Sequence, residues 1–166
     1  MYRHVPNYDF VIDSPVGKLG ICIHDRQLAR LDYLPDARQL QPATTRFGQR
    51  VCAELEAYFS DPSCRFTLAV AAAGSSFQQR VWQALLGIAP GNVMTYGELA
   101  ARLHSGARAV GNACRNNPVS IVVPCHRVVG VAGPGGYSGK TDGPELERKC
   151  WLLQHEGVSV KPLKSA

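Results

Sequence analysis

"TYGELAARLHSGARAVGNACRNN", residues 95 to 117, contains two short helical segments separated by a tight turn at "HSG". Thr95 with Glu98 three residues later predicts a capping box at the start of the first helix, and Ser105 is expected to cap the second. Two short helices joined by a glycine-containing turn are typical of a helix-turn-helix, whose second helix enters a DNA groove. An ordinary helical hairpin is the alternative that this pattern leaves open.

The second helix of this pair combines small side chains with arginines. Its small residues are Ala107, Ala109, Gly111 and Ala113. They make a slim helix that can approach a surface closely, and Arg108 and Arg115 are expected to project from it. Packing against another helix would explain the small residues but not the arginines, so the composition favours contact with nucleic acid.

The first part of the chain has the alternating pattern of a small sheet. "YDFVID" (8–13) and "KLGICIH" (18–24) alternate in hydropathy across the turn "SPVG", which predicts a β-hairpin. A third strand is expected around "QLARLDYL" (27–34). An amphipathic helix is predicted next from apolar residues that recur every four positions: Phe47, Val51, Leu55 and Phe59.

Apolar residues at Phe66, Leu68 and Val70 suggest a fourth strand, and "AAAGSS" (71–76) reads as a linker. Ser76 with Gln79 predicts a second capping box, at the start of a core helix. The pattern therefore predicts an α+β fold. A small N-terminal sheet domain with one helix occupies residues 1–73, and a mainly helical domain occupies residues 74–166.

Charge divides the chain in the same way. The 166 residues have a formal net charge of +5. Residues 1–73 hold eight basic and eight acidic residues, whereas residues 74–166 hold ten basic and five acidic ones. A basic second half is compatible with nucleic-acid binding, although many modestly basic domains are simply soluble.

The six cysteines are scattered without a C-x-x-C pair, which argues against a disulfide framework and a zinc cluster. The alternative of a metal site formed by His4, Cys22 and His24 stays open, although no spacing imposes it. The sequence has no apolar run of membrane-spanning length, and its N-terminus lacks the apolar core of a secretory signal. We therefore expect a cytoplasmic protein that is not exported.

"IVVPCHRVVG", residues 121 to 130, places a thiol beside an imidazole. Cysteine attacks as a thiolate, so a reactive Cys125 needs a nearby base, and His126 is the candidate. Adjacent side chains of an extended chain point to opposite faces, which favours a bridging water between them. Glu156 in "LLQHEGV" is the candidate for orienting the imidazole. The alternative is that Cys125 is a small buried hydrophobe.

"PCHRVVG", preceded by "ARAVGNACRNNPVSIVV" and "TYGELA", resembles the active-site domain of the O6-alkylguanine-DNA alkyltransferases, also called methylated-DNA-protein-cysteine methyltransferases. The resemblance runs from "FQQRVWQALL" through "YSG" to "WLLQHEG", about half of the chain. It implies a winged-helix-like helix-turn-helix in the alkyltransferase domain. The N-terminal half resembles the family's small ribonuclease-H-like sheet domain only in outline.

The resemblance implies that Cys125 accepts an alkyl group irreversibly from the O6 atom of guanine, through a water-linked relay with His126 and Glu156. It implies that Asn117 holds the architecture of the site by hydrogen bonding. It also implies that Tyr96 assists extrusion of the damaged nucleotide and donates a proton to guanine N3.

For DNA binding, the resemblance implies that Arg108 enters the duplex and fills the space of the flipped base. Family members place this helix in the minor groove, where little sequence is read. The expected contacts come from Tyr96, Ala107, Arg108, Ala109, Gly111 and Arg115. The expected lining of the guanine pocket is Pro124, Val128, Tyr137 and Ser138.

The implied activity is single-turnover DNA repair after base flipping, with O4-alkylthymine as a further possible substrate, no cofactor and no metal. The implied partner is double-stranded DNA, and the protein is expected to bind it as a monomer. The protein is expected to be associated with the nucleoid in a bacterium or to lie in the nucleus of a eukaryote. Two alternatives belong to other classes. They are a non-catalytic module that recruits repair factors, whose known members lack the reactive cysteine, and a cysteine hydrolase, for which no oxyanion-hole loop is evident.

"KTDGPELER", residues 140 to 148, departs from the family, since many relatives have a short glycine-containing connection here. We expect an exposed loop that forms an adjustable rim of the pocket. Asp142 and Pro144 are suited to the start of a helix, so the loop could be shorter than it looks.

Overall fold

An antiparallel sheet of three strands forms the first layer of the computed structural model, which describes residues 6–137 and 139–160. The strands are β1 (Phe10–Ile12), β2 (Lys18–His24) and β3 (Gln27–Leu34), in the order β1-β2-β3. Their alternating apolar residues face one side, where Phe10, Leu19 and Leu31 are buried. The predicted hairpin and third strand are thus confirmed.

Helix α1 (Arg46–Ser60) covers this sheet, as the four-residue apolar spacing predicted. Its N-cap is Thr45, whose hydroxyl accepts the backbone N–H of Gly48. The buried face of the helix presents Val51, Leu55 and Tyr58. Of these, Tyr58 proves important for the site described below.

The predicted fourth strand is wrong. Residues 66–70 make one isolated parallel bridge, between Leu28 and Val70, and no ladder. The backbone N–H and the hydroxyl of Thr67 donate instead to the carboxylate of Glu54 in α1, at 2.7 and 2.6 Å. Because the carboxylate of Glu54 accepts the backbone N–H of Thr67, the segment lies along the sheet edge as an irregular, extended loop.

Within residues 74–137 and 139–160, the second half contains four α-helices and a short parallel strand pair. The helices are α2 (Ser76–Leu86), α3 (Tyr96–Arg102), α4 (Ala107–Arg115) and α5 (Gly143–His155). Strands β4 (Met94–Thr95) and β5 (Val128–Val129) pair with each other in parallel. Helices α3 and α4 pack together across the turn at residues 103–106, as expected for the predicted helix-turn-helix.

Two of the three predicted helix caps differ from the structure. The capping box of α2 is Ser75 with Gln78, one residue before the predicted pair. Helix α4 begins after Gly106, which makes no side-chain cap, so the predicted cap at Ser105 is wrong. The third prediction, Thr95 with Glu98, is confirmed as the capping box of α3.

The segment 140–148 is mostly helical and only briefly a loop. Helix α5 begins at Gly143 with Pro144 in its first turn, so residues 143–148 belong to the helix. Asp142 occupies the N-cap position, but its side chain makes no capping hydrogen bond. Tyr137 and Lys140 pair with each other in a tight turn just before it. The loop is therefore confined to residues 139–142, and exposure continues into the first turn of α5 at Gly143 and Pro144.

Buried side chains from both halves form one continuous hydrophobic cluster that runs from Phe10 and Tyr58 to Trp82 and Leu152. None of the described helices has the length and apolar character needed to cross a membrane. Within residues 6–137 and 139–160, no three His, Cys, Asp or Glu side chains are grouped to hold a metal ion. His4, one of the three candidate metal ligands, lies outside the described residues.

Gly74 marks the junction between the two halves and lies against Trp82. A Cβ atom built on Gly74 would lie 2.6 Å from Cζ3 of Trp82. That indole is held in place because its Nε1–H donates to the carbonyl of Ala113 at 2.9 Å. The junction therefore requires a residue without a side chain.

We predict that Gly74→Ala lowers the free energy of unfolding by about 1–3 kcal/mol, because the added methyl group overpacks a fixed aromatic ring. Urea unfolding at neutral pH measures this loss. Gly133→Ala is the matched control, since a Cβ atom at Gly133 meets nothing within 4 Å. Equal losses in the two variants would contradict the prediction.

Candidate active site

Cys125 lies in a single 3-10 turn, Cys125–Arg127, and is 5 % exposed to solvent. The turn is closed by the N–H of Arg127, which donates to the carbonyl of Pro124 at 3.0 Å. The backbone thus bends between the cysteine and the histidine. This bend removes the constraint that places adjacent side chains on opposite faces of an extended chain.

The segment leading into this turn is held by Asn117. Its side-chain N–H donates to the carbonyl of Val123 at 2.8 Å, and its side-chain oxygen accepts the N–H of Val119 at 3.0 Å. Between these two anchors Ile121 has φ +74°, which is a strained conformation for a β-branched residue. Asn117 therefore fixes a loop whose shape the sequence alone does not favour.

His126 is fully buried and lies 2.9 Å, through Nε2, from Oε1 of Glu156. Glu156 follows the last residue of α5 as its C-cap. Arg127 donates to both carboxylate oxygens, from Nε to Oε2 at 3.0 Å and from Nη2 to Oε1 at 2.8 Å. Its third contact is from Nη1 to the carbonyl of Ile88 at 2.5 Å. The predicted pairing of His126 with Glu156 is therefore present in the structure.

The charges of this group follow from burial and hydrogen bonding. Burial lowers the pKa of His126, which outweighs the opposite effect of its hydrogen bond to Glu156. Burial alone would raise the pKa of Glu156, but hydrogen bonds from His126 and Arg127 hold that pKa far below its usual range. A neutral imidazole beside an ionised carboxylate donates through Nε2–H, which leaves the lone pair on Nδ1.

Nδ1 of His126 has no hydrogen-bond partner in the described part of the chain. This basic atom is buried within the Cys125–Arg127 turn. Among residues 6–137 and 139–160 it makes no direct hydrogen bond with the thiol of Cys125. The arrangement is compatible with the bridging water expected from the sequence.

Burial raises the pKa of the Cys125 thiol. The opposing influences are the nearby amide of Asn117, the positive charge of Lys149 and the nearby hydroxyl of Tyr137. Tyr137 is itself held by Tyr33 of β3, whose hydroxyl lies 2.9 Å from the hydroxyl of Tyr137. The thiol is therefore protonated at rest and surrounded by groups that stabilise the thiolate once it forms.

Lys149 is a buried charged residue that the sequence analysis missed. Its ammonium donates to the carbonyls of Val128 at 2.6 Å and Gly136 at 2.9 Å, and lies 3.4 Å from the hydroxyl of Tyr96. Burial lowers the pKa of Lys149 to about 8. The available signal was its position on the apolar face of α5, three residues from both Leu146 and Leu152.

A cavity of about 360 Å³ opens in front of Cys125. Its lining residues come from α3, α4, the Cys125 turn and the loop after β5: Tyr96, Arg108, Gly111, Asn112, Cys114, Arg115, Cys125, Gly136, Tyr137, Gly139, Lys140 and Thr141. Three of them are cations and none is an acid. A volume of this size suits one small planar ring system. The positive charge of the three cationic side chains suits a ligand that carries negative charge.

The predicted site residues occupy different positions relative to this cavity. Tyr96, Arg108, Gly111, Arg115 and Tyr137 line it with Cys125, while His126, Asn117 and Glu156 lie outside its lining and support the Cys125 turn. Ala107 and Ala109 are exposed on α4. Ser138 lies outside the described residues.

Pro124 and Val128, which were expected to line the pocket, do not line this cavity. Val128 is fully buried, and its carbonyl accepts the ammonium of Lys149. Pro124 faces a separate groove, which it shares with Arg127. Of residues 124–128, Cys125 alone lines the cavity.

The chain is similar to known proteins over most of its length. Residues 76–158 match the family described as "6-O-methylguanine DNA methyltransferase, DNA binding domain". A methylated-DNA–protein-cysteine methyltransferase of Mycobacterium leprae is 40 % identical over 157 residues, 90 % of this chain and 92 % of that protein. One of Methanosarcina barkeri is 37 % identical over 161 residues, 93 % and 99 % of the two chains.

A solved structure of Mycobacterium tuberculosis OGT in complex with DNA is similar in fold, with a TM-score of 0.74. It is 37 % identical in sequence, and the alignment covers 88 % of this chain and 90 % of that one. The similarity therefore extends over the sheet as well as the helical half, which the sequence patterns had supported only in outline.

We predict that Lys149→Met slows alkylation of Cys125 by iodoacetamide by about three- to tenfold at pH 7, because the ammonium stabilises the thiolate. Lys149 is protonated below its pKa of about 8, so the wild-type advantage is complete at pH 7 and shrinks as the pH rises to 9. Peptide mass spectrometry follows the reaction, with Cys64 as the internal reference. A rate ratio that stays constant from pH 7 to 9 would contradict this role.

Proposed function

The chain belongs to the 6-O-methylguanine DNA methyltransferase family, and we propose that its acceptor of the alkyl group is the sulfur of Cys125. Its function is DNA repair by alkyl transfer, the activity of a methylated-DNA–protein-cysteine methyltransferase. The observation that carries the assignment to Cys125 is its position at the cavity, above the buried pair of His126 and Glu156.

The first chemical step is formation of the thiolate. The proton of Cys125 moves through a water molecule to Nδ1 of His126, whose lone pair is free among the described residues. Glu156, ionised and 2.9 Å from Nε2, stabilises the imidazolium that forms. Lys149 and Asn117 stabilise the thiolate, because both lower the pKa of the Cys125 thiol against the effect of burial.

The second step is attack of the thiolate on the alkyl carbon of O6-alkylguanine. The new S–C bond forms as the O6–C bond breaks, and the electron pair of that bond passes to the purine. A guanine anion is a poor leaving group unless a donor neutralises it, and Tyr96 is the candidate donor to N3. Burial raises the pKa of Tyr96, so its hydroxyl is protonated before the substrate binds.

The product is a thioether on Cys125, which the site has no means of hydrolysing. We therefore infer that each molecule acts once and needs neither a cofactor nor a metal. The cavity would accept O6-alkylguanine, and the same chemistry would serve O4-alkylthymine, since both carry an alkyl group on an exocyclic oxygen.

Access to the damaged base requires that it leave the DNA stack. Arg108 lines the cavity from the exposed face of α4, a position from which it can fill the space of the flipped nucleotide. The small residues Ala107, Ala109 and Gly111 would let the helix lie close to the minor groove. Contacts of this kind read little sequence, which suits a protein that must act wherever damage occurs.

The proposed partner is thus double-stranded DNA, bound by a monomer. The proposed location is wherever the genome lies, either the cytoplasm of a bacterium in association with the nucleoid or the nucleus of a eukaryote. Arg115 and Lys140, which also line the cavity, would contact the DNA backbone beside the flipped nucleotide.

We predict that Cys125→Ser abolishes alkyl transfer and leaves DNA affinity nearly unchanged, because a neutral hydroxyl is a far weaker nucleophile of similar size. The protein is mixed with a duplex that contains one O6-methylguanine, and its intact mass is measured. Wild-type protein gains one methyl group on Cys125, whereas the variant gains none. An unmodified wild-type protein that still binds the duplex would favour a non-catalytic recruitment module.

We predict that Arg108→Ala slows repair of duplex DNA by about tenfold or more, and changes the reaction with free O6-benzylguanine by less than about twofold, since only the duplex demands base flipping. Single-turnover rates on the two substrates test this. Arg46→Ala, at an exposed arginine at the start of α1, controls for the loss of one positive charge. Equal losses on both substrates would exclude the proposed role in flipping.

A further inference from the structure

We propose that Tyr58 of helix α1 is a positioning residue for alkyl transfer: it holds Oε1 of Glu156 against His126 from the N-terminal half of the chain. This inference rests on the proposed function of His126 and Glu156. It assigns part of the catalytic machinery to a helix outside the matched region 76–158.

The geometry at Oε1 of Glu156 supports this assignment. The hydroxyl of Tyr58 donates to Oε1 at 2.8 Å, and the bond is buried. The same oxygen accepts Nη2 of Arg127 at 2.8 Å and lies 2.9 Å from Nε2 of His126. Tyr58 and Arg127 therefore fix the oxygen on which the orientation of the imidazole depends.

The phenol can act only as a donor in this position. Burial raises the pKa of Tyr58 well above its ordinary value, and the charge of Glu156 raises it further. The hydroxyl is therefore protonated at every pH at which the protein works. Its single proton is directed at Oε1, so the contact has one orientation and cannot be exchanged for another.

The position of the Tyr58 ring is fixed from several sides. It is 1 % exposed and packs against Phe59, Phe66 and His155, with ring centroids 5.4, 5.3 and 5.3 Å away. Nε2 of His155 also lies 2.8 Å from the backbone carbonyl of Tyr58. Since His155 immediately precedes Glu156, the end of α5 is held to α1 through both side chain and backbone.

The contribution of Arg127 differs from that of Tyr58. Arg127 grips both carboxylate oxygens and the carbonyl of Ile88, so it fixes the plane of the carboxylate and keeps it ionised. Tyr58 approaches from another helix and restrains Oε1 alone. Without its hydroxyl, the charge would remain paired while Oε1 lost a restraint, which is a loss of orientation rather than of fold.

A loss of orientation predicts a specific kinetic signature. Nε2–H of His126 must point at Glu156 if Nδ1 is to receive the proton of Cys125. Tyr58 is absent from the lining of the cavity, so DNA and the flipped base do not meet it. Its hydroxyl should thus affect the rate of transfer and leave binding unchanged.

The test compares Tyr58→Phe with Tyr8→Phe in the full chain. Tyr8 is the matched control because it is also buried in the N-terminal half and donates to a carboxylate oxygen that an arginine shares, Oδ2 of Asp32 at 2.7 Å. Tyr58→Phe should lower the maximal single-turnover rate by about tenfold. The dissociation constant for methylated duplex should change by less than about twofold.

Tyr8→Phe should leave both the rate and the dissociation constant unchanged, while urea unfolding shows comparable losses of stability in the two variants. A rate loss shared by both variants would reduce Tyr58 to a structural role and overturn the proposal. Failure of transfer in the wild-type protein would instead overturn the proposed function, so the two failures are distinguishable.

A double-mutant cycle examines whether Tyr58 acts through Glu156. In a Glu156→Gln background the further change Tyr58→Phe should have almost no effect on the rate, because the oriented carboxylate is already lost. The same tenfold loss in both backgrounds would mean that Tyr58 acts independently, which overturns the proposal.

The NMR signal of the His126 Nε2 proton provides a second measurement that does not require Glu156→Gln to fold. Tyr58→Phe should move this signal upfield and speed its exchange with water, because the bond to Oε1 weakens, whereas Tyr8→Phe should leave it in place. An unchanged signal, or a downfield shift that indicates competition between Tyr58 and His126 for Oε1, contradicts a positioning role.

Discussion

An ionised carboxylate inside a protein is costly unless donors surround it, and Glu156 has donors from two distant parts of the chain. Arg127 supplies a bidentate pair, His126 one ring nitrogen and Tyr58 one hydroxyl. His126 and Arg127 belong to the 3-10 turn, Tyr58 belongs to α1 and Glu156 itself caps α5, so three elements must come together before the charge is satisfied. The chemistry proposed for Cys125 depends on the same condition, because an uncompensated Glu156 would take up a proton and cease to orient the imidazole.

Much of this arrangement could be predicted from the sequence, for physical reasons. Alternating hydropathy identified the three strands because one face of the sheet is buried. Helix α1 followed from its four-residue spacing, and Thr95 with Glu98 identified the start of α3. The pairing of His126 with Glu156 followed from the requirement that a neutral histidine base needs an acid to fix its tautomer.

Other features could not be predicted because long-range contacts decide them. Adjacent serines each precede a glutamine by three residues, so the pattern alone could not choose Ser75 over Ser76 as the cap of α2. Residues 66–70 have the alternation of a strand, yet Glu54 takes the backbone donor of Thr67. Lys149 was missed because lysine is rarely buried, and its partners are backbone carbonyls that have no sequence signature.

A protein that is consumed by one reaction gains from a nucleophile that stays inert until its substrate arrives. Burial provides this property here, since it raises the pKa of Cys125 and keeps the thiol protonated. The same burial makes the groups around it more effective, because charges and hydrogen bonds act strongly where water is excluded. His126, Lys149 and Asn117 can therefore stabilise the thiolate at the moment of transfer without exposing it beforehand. The position of the proposed acceptor, Cys125, at a cavity rather than on the surface of α4 follows from that requirement.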